Sequence, residues 1–143
     1  MQISDQVGLI RDQLAIDVVD ALGVSKVHMG RVRLPQVTLP YAVVALSGCD
    51  QDWEGVRAMT CKLTFEIYGR FALDDSLEID EEAELMAKFD ALASLIESEE
   101  SYAGVGELSI LSGCAFNVLN DPDEPMSELK ATLQVQIGGQ YGA

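Results

Sequence analysis

The segment MTCKLTFEIYGR, residues 59–70, contains the clearest structural pattern in the chain. Between Met59 and Ile67 every second residue is apolar, and the residues between them are polar or charged. Strict alternation is typical of a β-strand with one buried side and one side facing water, as in antiparallel sheets. Residues 129–137 alternate in the same way, so a second strand of this kind is predicted there.

Two other segments repeat their apolar residues at steps of three and four, the spacing of an amphipathic helix. The first runs from Ile3 to Leu22 and is followed by Gly23, a residue that favours helix ends. The second is predicted near residues 78–98, with an acidic first turn that suits the helix dipole. Further strands are predicted at residues 27–34, 41–46 and 108–119 (with a bend near Gly113), and a loop is predicted at residues 50–55.

In chain order these elements are a helix, a short basic strand, two strands, a second helix and two final strands. Hairpin connections favour antiparallel neighbours. The sequence therefore predicts one α+β domain over residues 1–143, with a mainly antiparallel sheet of four to five strands and two long helices packed on one face. The side chains expected to be largely buried are Leu14, Leu63, Phe65, Phe89, Leu133 and Val135.

The charges of the chain are numerous and unevenly distributed. The net charge is −15, from 24 acidic and nine basic residues. Residues 1–73 are nearly balanced, whereas residues 74–128 contain sixteen acids and a single base, Lys88. An acidic surface repels phosphates, so binding of nucleic acid over a broad area is not expected. The pattern predicts one acidic side and one mixed side.

No residue pattern predicts an enzyme, a metal site, a cofactor or a membrane segment. His28 is the only histidine, and no GxSxG elbow is present, so a catalytic triad is not expected. Asp121, Asp123 and Glu124 lack the central Gly and distal Glu of an EF-hand loop. The three cysteines form no CxxC pair and are interpreted as buried free thiols. No apolar run approaches the roughly 18–20 residues that span a bilayer.

The chain resembles the tail-terminator and tail-completion proteins of long-tailed bacteriophages over nearly its whole length. The most specific part is a Pro-rich entry into a strand, then a strand ending in Tyr-Gly-Arg, then a long helix. The acidic run at residues 74–84 departs from the family pattern. After the N-terminal helix, the segments that carry the resemblance are GRVRLPQVTLPYAVVALSG (30–48), MTCKLTFEIYGR (59–70), EAELMAKFDALASLI (82–96) and NDPDEPMSELKATLQVQI (120–137).

This resemblance implies a structural virion protein, without enzymatic activity, that forms a homo-oligomeric ring, commonly a hexamer. Such a ring caps the tail tube and joins it to the head–tail connector or stopper protein, and the genome passes through its lumen without specific binding. The protein would be assembled in the bacterial host cytoplasm and would reside in the tail or neck. Two alternatives stay open: another neck or head-closure subunit, and an acidic DNA mimic that inhibits a host nuclease.

The charge pattern suggests how neighbouring subunits meet. A contact between different patches on identical subunits closes into a ring when its rotation fits. We expect the mixed side of one subunit to meet the acidic side of the next, with charge setting orientation and apolar contacts supplying most of the affinity. The candidate interface residues are Arg31, Arg33, Trp53, Arg57 and Met126.

Reversing the charge of Arg31 and Arg33 to Glu should therefore block ring closure while leaving the monomer folded. Exposed ion pairs contribute only ~0–1 kcal/mol each, so high salt alone should loosen the ring modestly. Circular dichroism checks the fold, and the mass in solution checks the assembly. A double variant that still assembles normally into infectious particles would contradict the charge-matched interface.

Overall fold

The secondary-structure elements follow the order that the apolar periodicities indicate. The computed structural model describes residues 2–30, 39–53, 58–72, 81–119 and 126–140. None of the helices within these ranges is long and apolar enough to cross a membrane. The elements are α1 (Ile3–Leu22), β1 (Lys26–Met29), β2 (Tyr41–Trp53), β3 (Ala58–Ala72), α2 (Glu81–Glu97), a short 3-10 helix (Tyr102–Gly104), β4 (Leu108–Leu119) and β5 (Met126–Gln140).

The five strands form one sheet in the order β1-β2-β3-β5-β4. The alternating segment 59–70 lies within β3, which is the central strand and pairs antiparallel with both β2 and β5. Phe65 of β3 lies opposite Leu46 of β2 and Leu133 of β5. A one-residue slip would turn every apolar side chain of β3 to the wrong face, so the buried face fixes this register.

The predicted fold class is wrong in its sheet. β1 pairs with β2 in parallel, with His28 opposite Val43, so the sheet is mixed rather than a clearly antiparallel one flanked by two long helices. The described strands also contain more residues than the helices. The prediction assumed hairpin connections, but parallel neighbours cannot be joined by a tight turn. The segment from Gly30 to Pro40 is long enough to return the chain to the starting end of β1.

The predicted loop at residues 50–55 is wrong over its described part, because β2 continues to Trp53. The register of β2 against β3 shifts between Leu46 and Gly48, which is a β-bulge. The extra residue changes which residues of β2 lie on the core face, and residues 46–51 are all exposed, so the buried stretch ends there while the strand does not. A similar shift between Ser112 and Cys114 of β4 confirms the bend predicted near Gly113.

A single hydrophobic core contains side chains from both helices and from one face of the sheet. Five of the six predicted core residues, Leu14, Leu63, Phe65, Leu133 and Val135, are completely buried. Phe89 of α2 is only partly buried and packs against the edge of this core.

Two features hold α1 on the sheet at its C-terminal half. Gly23 ends the helix at φ 64°, and its N–H donates to the carbonyl oxygen of Val19. Glycine tolerates this left-handed conformation without a steric penalty. Just before this end, Leu22 packs on Gly69 of β3, where an added Cβ would lie 3.0 Å from Leu22 Cδ1. The helix therefore approaches the sheet closely because residue 69 has no side chain.

A buried polar pair connects α1 to the 3-10 helix. The Tyr102 hydroxyl donates to Asp17 Oδ2 at 2.6 Å, and Gln13 Nε2 donates to Asp17 Oδ1 at 3.0 Å. Burial, and next the hydrogen bond to Asp17, raise the pKa of Tyr102 far above its ordinary value. The phenol therefore keeps its proton and remains the donor to this buried carboxylate.

The cysteines are not all free thiols. Cys49 of β2 and Cys61 of β3 are joined by a disulfide, so that interpretation was wrong for these two residues. Their Cα atoms are 6.4 Å apart, within the usual range for a disulfide. The sequence could not reveal the pair, because the bulge in β2 decides which of its residues lie beside Cys61.

The burial of Phe65 gives a stability test. Phe65→Ala should lower the free energy of unfolding by about 3–5 kcal/mol, because it leaves a cavity at the centre of the sheet. Met86→Ala is the control, since Met86 is an exposed residue of α2 and its truncation should change stability by less than about 0.5 kcal/mol. Urea unfolding measures both. Equal losses in the two variants would contradict the assignment of the buried face.

Candidate functional site

The two sides of the molecule differ sharply in charge. The helices α1 and α2 together carry nine acids and only two bases, Arg11 and Lys88. The face of the sheet that points away from the core, which we call the open sheet face, is nearly balanced. Its charged side chains, among the residues described, are Lys26, Lys62, Arg70, Lys130, Asp50, Glu66 and Glu128. The acidic side is thus the helix layer, and the mixed side is the sheet.

Arg70 of β3 lies at the centre of a polar cluster at one end of the open sheet face. Its Nε donates to Glu128 Oε2 of β5 at 2.8 Å, and its Nη1 donates to the Tyr41 hydroxyl of β2 at 2.8 Å. Tyr41 and Glu128 are both buried. Burial by itself would lower the pKa of Arg70, but the hydrogen bonds to Tyr41 and Glu128 outweigh it and raise the pKa. The guanidinium therefore stays charged and links three strands.

His28 contributes an aromatic contact to this cluster. Its ring meets the Tyr41 ring edge-on, with centroids 5.9 Å apart. His28 Nε2 is buried and has no hydrogen-bond partner among the residues described. His28 is half-buried and packs against Tyr41.

A second cluster lies beside the first, one row further along β3. The Tyr68 hydroxyl donates to Glu66 Oε2 at 2.8 Å, and Lys130 Nζ lies 3.7 Å from Glu66 Oε1 and 5.6 Å from the centre of the Tyr68 ring. Burial, and next the bond to Glu66, raise the pKa of Tyr68, so the phenol stays protonated. Three of these charged groups, Arg70, Glu66 and Lys130, are therefore engaged with neighbours on the same face.

The carboxyl groups of both clusters already accept hydrogen bonds from neighbouring side chains. Catalytic acids and bases usually lie in a cleft, where their pKa values are shifted and one of their atoms is free to exchange a proton with the substrate. Here Glu128 forms an ion pair with the Arg70 guanidinium. Glu66 accepts a hydrogen bond from the Tyr68 hydroxyl and forms a longer ion pair with Lys130. Within the described ranges, no group of His, Cys, Asp and Glu is placed to hold a metal ion.

Of the five predicted interface residues, the structure describes Trp53 and Met126. Arg31, Arg33 and Arg57 lie outside the described residues. Trp53 is the last residue of β2, in register with Met59, which pairs with Gly139 near the end of β5. Met126 is the half-buried first residue of β5. The backbone positions of Trp53 and Met126 are therefore separated by nearly the length of β5, roughly 40 Å.

The feature that sequence reasoning missed is the outer edge of β4. Among the described strands, β4 pairs only with β5, so its other side carries the unpaired edge of the sheet. The strand LSILSGCAFNVL contains neither a charged residue nor a proline, and Ile110 on it is 46 % exposed. The lack of charge was visible in the sequence, but the edge position was not, because it depends on the order of strands.

Comparison with known proteins gives a similarity in structure. No family model matches the chain, and no curated protein does. Among solved structures, it is similar to a chain from the virion of a native gene transfer agent (GTA) particle, with 17 % identity and a TM-score of 0.45 over 91 % of this chain and 92 % of that one.

The Arg70 cluster predicts a large effect of removing one charge. Arg70→Met should destabilise the fold by roughly 2–3 kcal/mol, because it leaves the buried Glu128 carboxylate without its cation. Lys130→Met is the control: its ion pair with Glu66 is long and more exposed, so the loss should stay below about 1 kcal/mol. Urea unfolding at neutral pH gives both values.

A double variant separates the ion pair from simple packing. Arg70→Met combined with Glu128→Met removes both charges and should recover part of the lost stability. The two residues are not coupled if Glu128→Met lowers the free energy of unfolding of the Arg70→Met variant by as much as it lowers that of the wild type.

Proposed function

We propose that this chain is a non-enzymatic structural subunit of a phage-like virion, in which copies join through the edges of their sheets to form a ring. The outer edge of β4 is the observation that carries the proposal. It offers a strand of twelve residues without a charge or a proline in a protein of net charge −15.

An edge of this kind is rare in a monomer. Unpaired N–H and C=O groups on an edge strand are a template for pairing with another chain. Monomeric proteins protect such edges with lysines, prolines, very short strands or bulges. β1, at the opposite edge, is shorter, with four residues that begin with Lys26. β4 has only one of these protections, the bulge between Ser112 and Cys114, and its twelve residues without a lysine or a proline leave backbone groups for a partner strand on either side of that bulge.

The two edges of the sheet, β1 and β4, differ from each other, and this difference favours a ring over a simple dimer. A contact between the β4 edge of one copy and the β1 side of the next is head-to-tail, and head-to-tail contacts close into rings when the rotation fits. Such a ring would keep the acidic helix layers of successive subunits on the same side. The nearly neutral open sheet face would form the other side, where charges are largely paired within each subunit.

The position of the ring in the particle follows from the resemblance in sequence. We place it at the end of the tail tube as a tail terminator, in contact with the tail-tube protein and the head–tail connector or stopper protein, with the genome passing through its lumen. A neutral or acidic lumen does not hold DNA, because it offers no excess of cations to the phosphates.

The acidic helix layer makes a DNA-mimic inhibitor the second candidate. A mimic needs carboxylates spaced like phosphates over a continuous surface. The outer side of α1 instead interleaves its acids with exposed Leu9, Ile16 and Val19. This mixture of acidic and apolar residues favours a protein contact over imitation of DNA.

The edge contact is tested by placing one charge on β4. Ile110→Lys should convert the assembly to monomers of 15.5 kDa, because a lysine on the exposed edge blocks strand pairing while leaving the core intact. Ile16→Lys is the matched control, since Ile16 is 61 % exposed on α1 in the opposite layer. Light scattering after size exclusion, alone and with the tail-tube protein, gives the masses.

The outcomes are distinct. A wild-type mass of several subunits that only Ile110→Lys abolishes supports the edge contact. A dimer would mean that β4 pairs with itself and that the ring is wrong. Dissociation by Ile16→Lys alone would place the contact on the helix layer, and a wild-type chain that stays monomeric even with the tail-tube protein would refute the assembly.

A further inference from the structure

The disulfide between Cys49 and Cys61 lies where the sheet has least support. β1 pairs with β2 only as far as Val44. Beyond Val44, within the described residues, β2 is bonded on one side alone, to β3. The bulge at Leu46–Gly48 interrupts even that ladder immediately before Cys49. The bridge therefore fastens a strand end that has one neighbour and an irregular register.

The two cysteines differ in how far each residue is exposed to solvent. Cys61 is completely buried in the hydrophobic core. Cys49 is exposed, although in the ladder it lies opposite Leu63, on the same face of the sheet. A small thiol can reach one side of the bridge, and exposed disulfides are the ones that reduce and re-form most readily.

We propose that Cys49 and Cys61 form a reversible thiol–disulfide exchange site for small thiols and disulfides of the glutathione type, with Cys49 as the residue that reacts and Cys61 as the one that resolves. Closing starts when the Cys49 thiolate attacks a glutathione disulfide. This forms a mixed disulfide at Cys49 and releases one glutathione thiolate.

The second step closes the bridge and balances the reaction. The Cys61 thiolate attacks the Cys49 sulfur, forming the Cys49–Cys61 bond and releasing the second glutathione. Two protein thiols are oxidised and one glutathione disulfide is reduced to two thiols, which take up, through water, the two protons that the protein thiols release. Opening is the reverse: a glutathione thiolate attacks the Cys49 sulfur and Cys61 leaves as a thiolate. A second glutathione thiolate then attacks the glutathione sulfur of the mixed disulfide and releases Cys49. The exchange requires neither the ring nor a protein partner.

The site controls the order of the end of β2. With the bridge closed, residues 48–53 are fixed to β3 by a covalent bond as well as by the ladder. With it open, they are held by the one-sided ladder alone, and local opening is easiest where backbone bonds have least support. Because Trp53 ends this segment, the redox state sets how firmly its backbone position is held.

The first experiment counts thiols on the full chain. The protein is equilibrated in glutathione buffers from strongly reducing to oxidising, quenched with N-ethylmaleimide and weighed intact. Three labels are expected on the reduced chain, which has three cysteines, and one on the oxidised chain. Peptide mapping should place the remaining label on Cys114. In the Cys61→Ala variant, Cys49 should keep a glutathione adduct, because the resolving thiol is absent.

The second experiment is hydrogen exchange of the same samples. Amides of residues 48–53 should exchange several-fold faster after reduction, while those of residues 129–135 in β5, paired on both sides, should not change. Cys49→Ser, a change at an exposed position, should show the fast exchange in every buffer.

Each alternative result overturns the proposal. Three labels in every buffer would mean that the bridge does not form in solution. One label in every buffer would mean a permanent structural disulfide. Faster exchange over the whole sheet would mean that the bridge stabilises the fold globally and does not act on the end of β2. A stable glutathione adduct on wild-type Cys49 would show that Cys61 does not resolve it.

Discussion

The pairing of β3 with β2 on one side and β5 on the other, over a shared buried face, is the constraint on which the rest of the molecule depends. Phe65 and Leu133 face each other across this ladder and are completely buried. Since alternate residues point to opposite faces, burying this side sends Glu66, Tyr68 and Arg70 to the other. The register that forms the core therefore also assembles the polar clusters on the open sheet face.

The two layers then separate in charge for a simple physical reason. A sheet face holds its side chains in rows, where a charge stands directly beside residues of the neighbouring strands. Arg70 meets Glu128 in this way, and Lys130 meets Glu66. Among the described residues, the two helices carry nine acids against two bases, and a solvated helix side does not place its charges in such rows. The protein is neutral where its charges are packed and acidic where they are solvated.

At two places on the edges of the sheet, backbone N–H and C=O groups have no neighbouring strand among the described residues. β4 has no second neighbour among the described strands, and β2 loses its outer neighbour beyond Val44. These two places carry the two proposals, an association edge on β4 and a redox-sensitive clamp at Cys49 and Cys61. They are independent of each other, since one concerns pairing between chains and the other a covalent bond within one chain.

The elements whose signals are local could be predicted from the amino-acid sequence. The apolar stripe of Ile10, Leu14 and Val18 predicted α1, and the alternation through Leu63 and Phe65 predicted β3, because periodicity is a property of neighbouring residues. Tertiary structure alone decided the parallel pairing of β1, the strand order and the extension of β2 beyond its bulge. These features depend on which strand, distant in the sequence, forms backbone hydrogen bonds with each other strand. The open edge of β4 and the clusters around Arg70 and Glu66 follow from that choice, so no local pattern could reveal them.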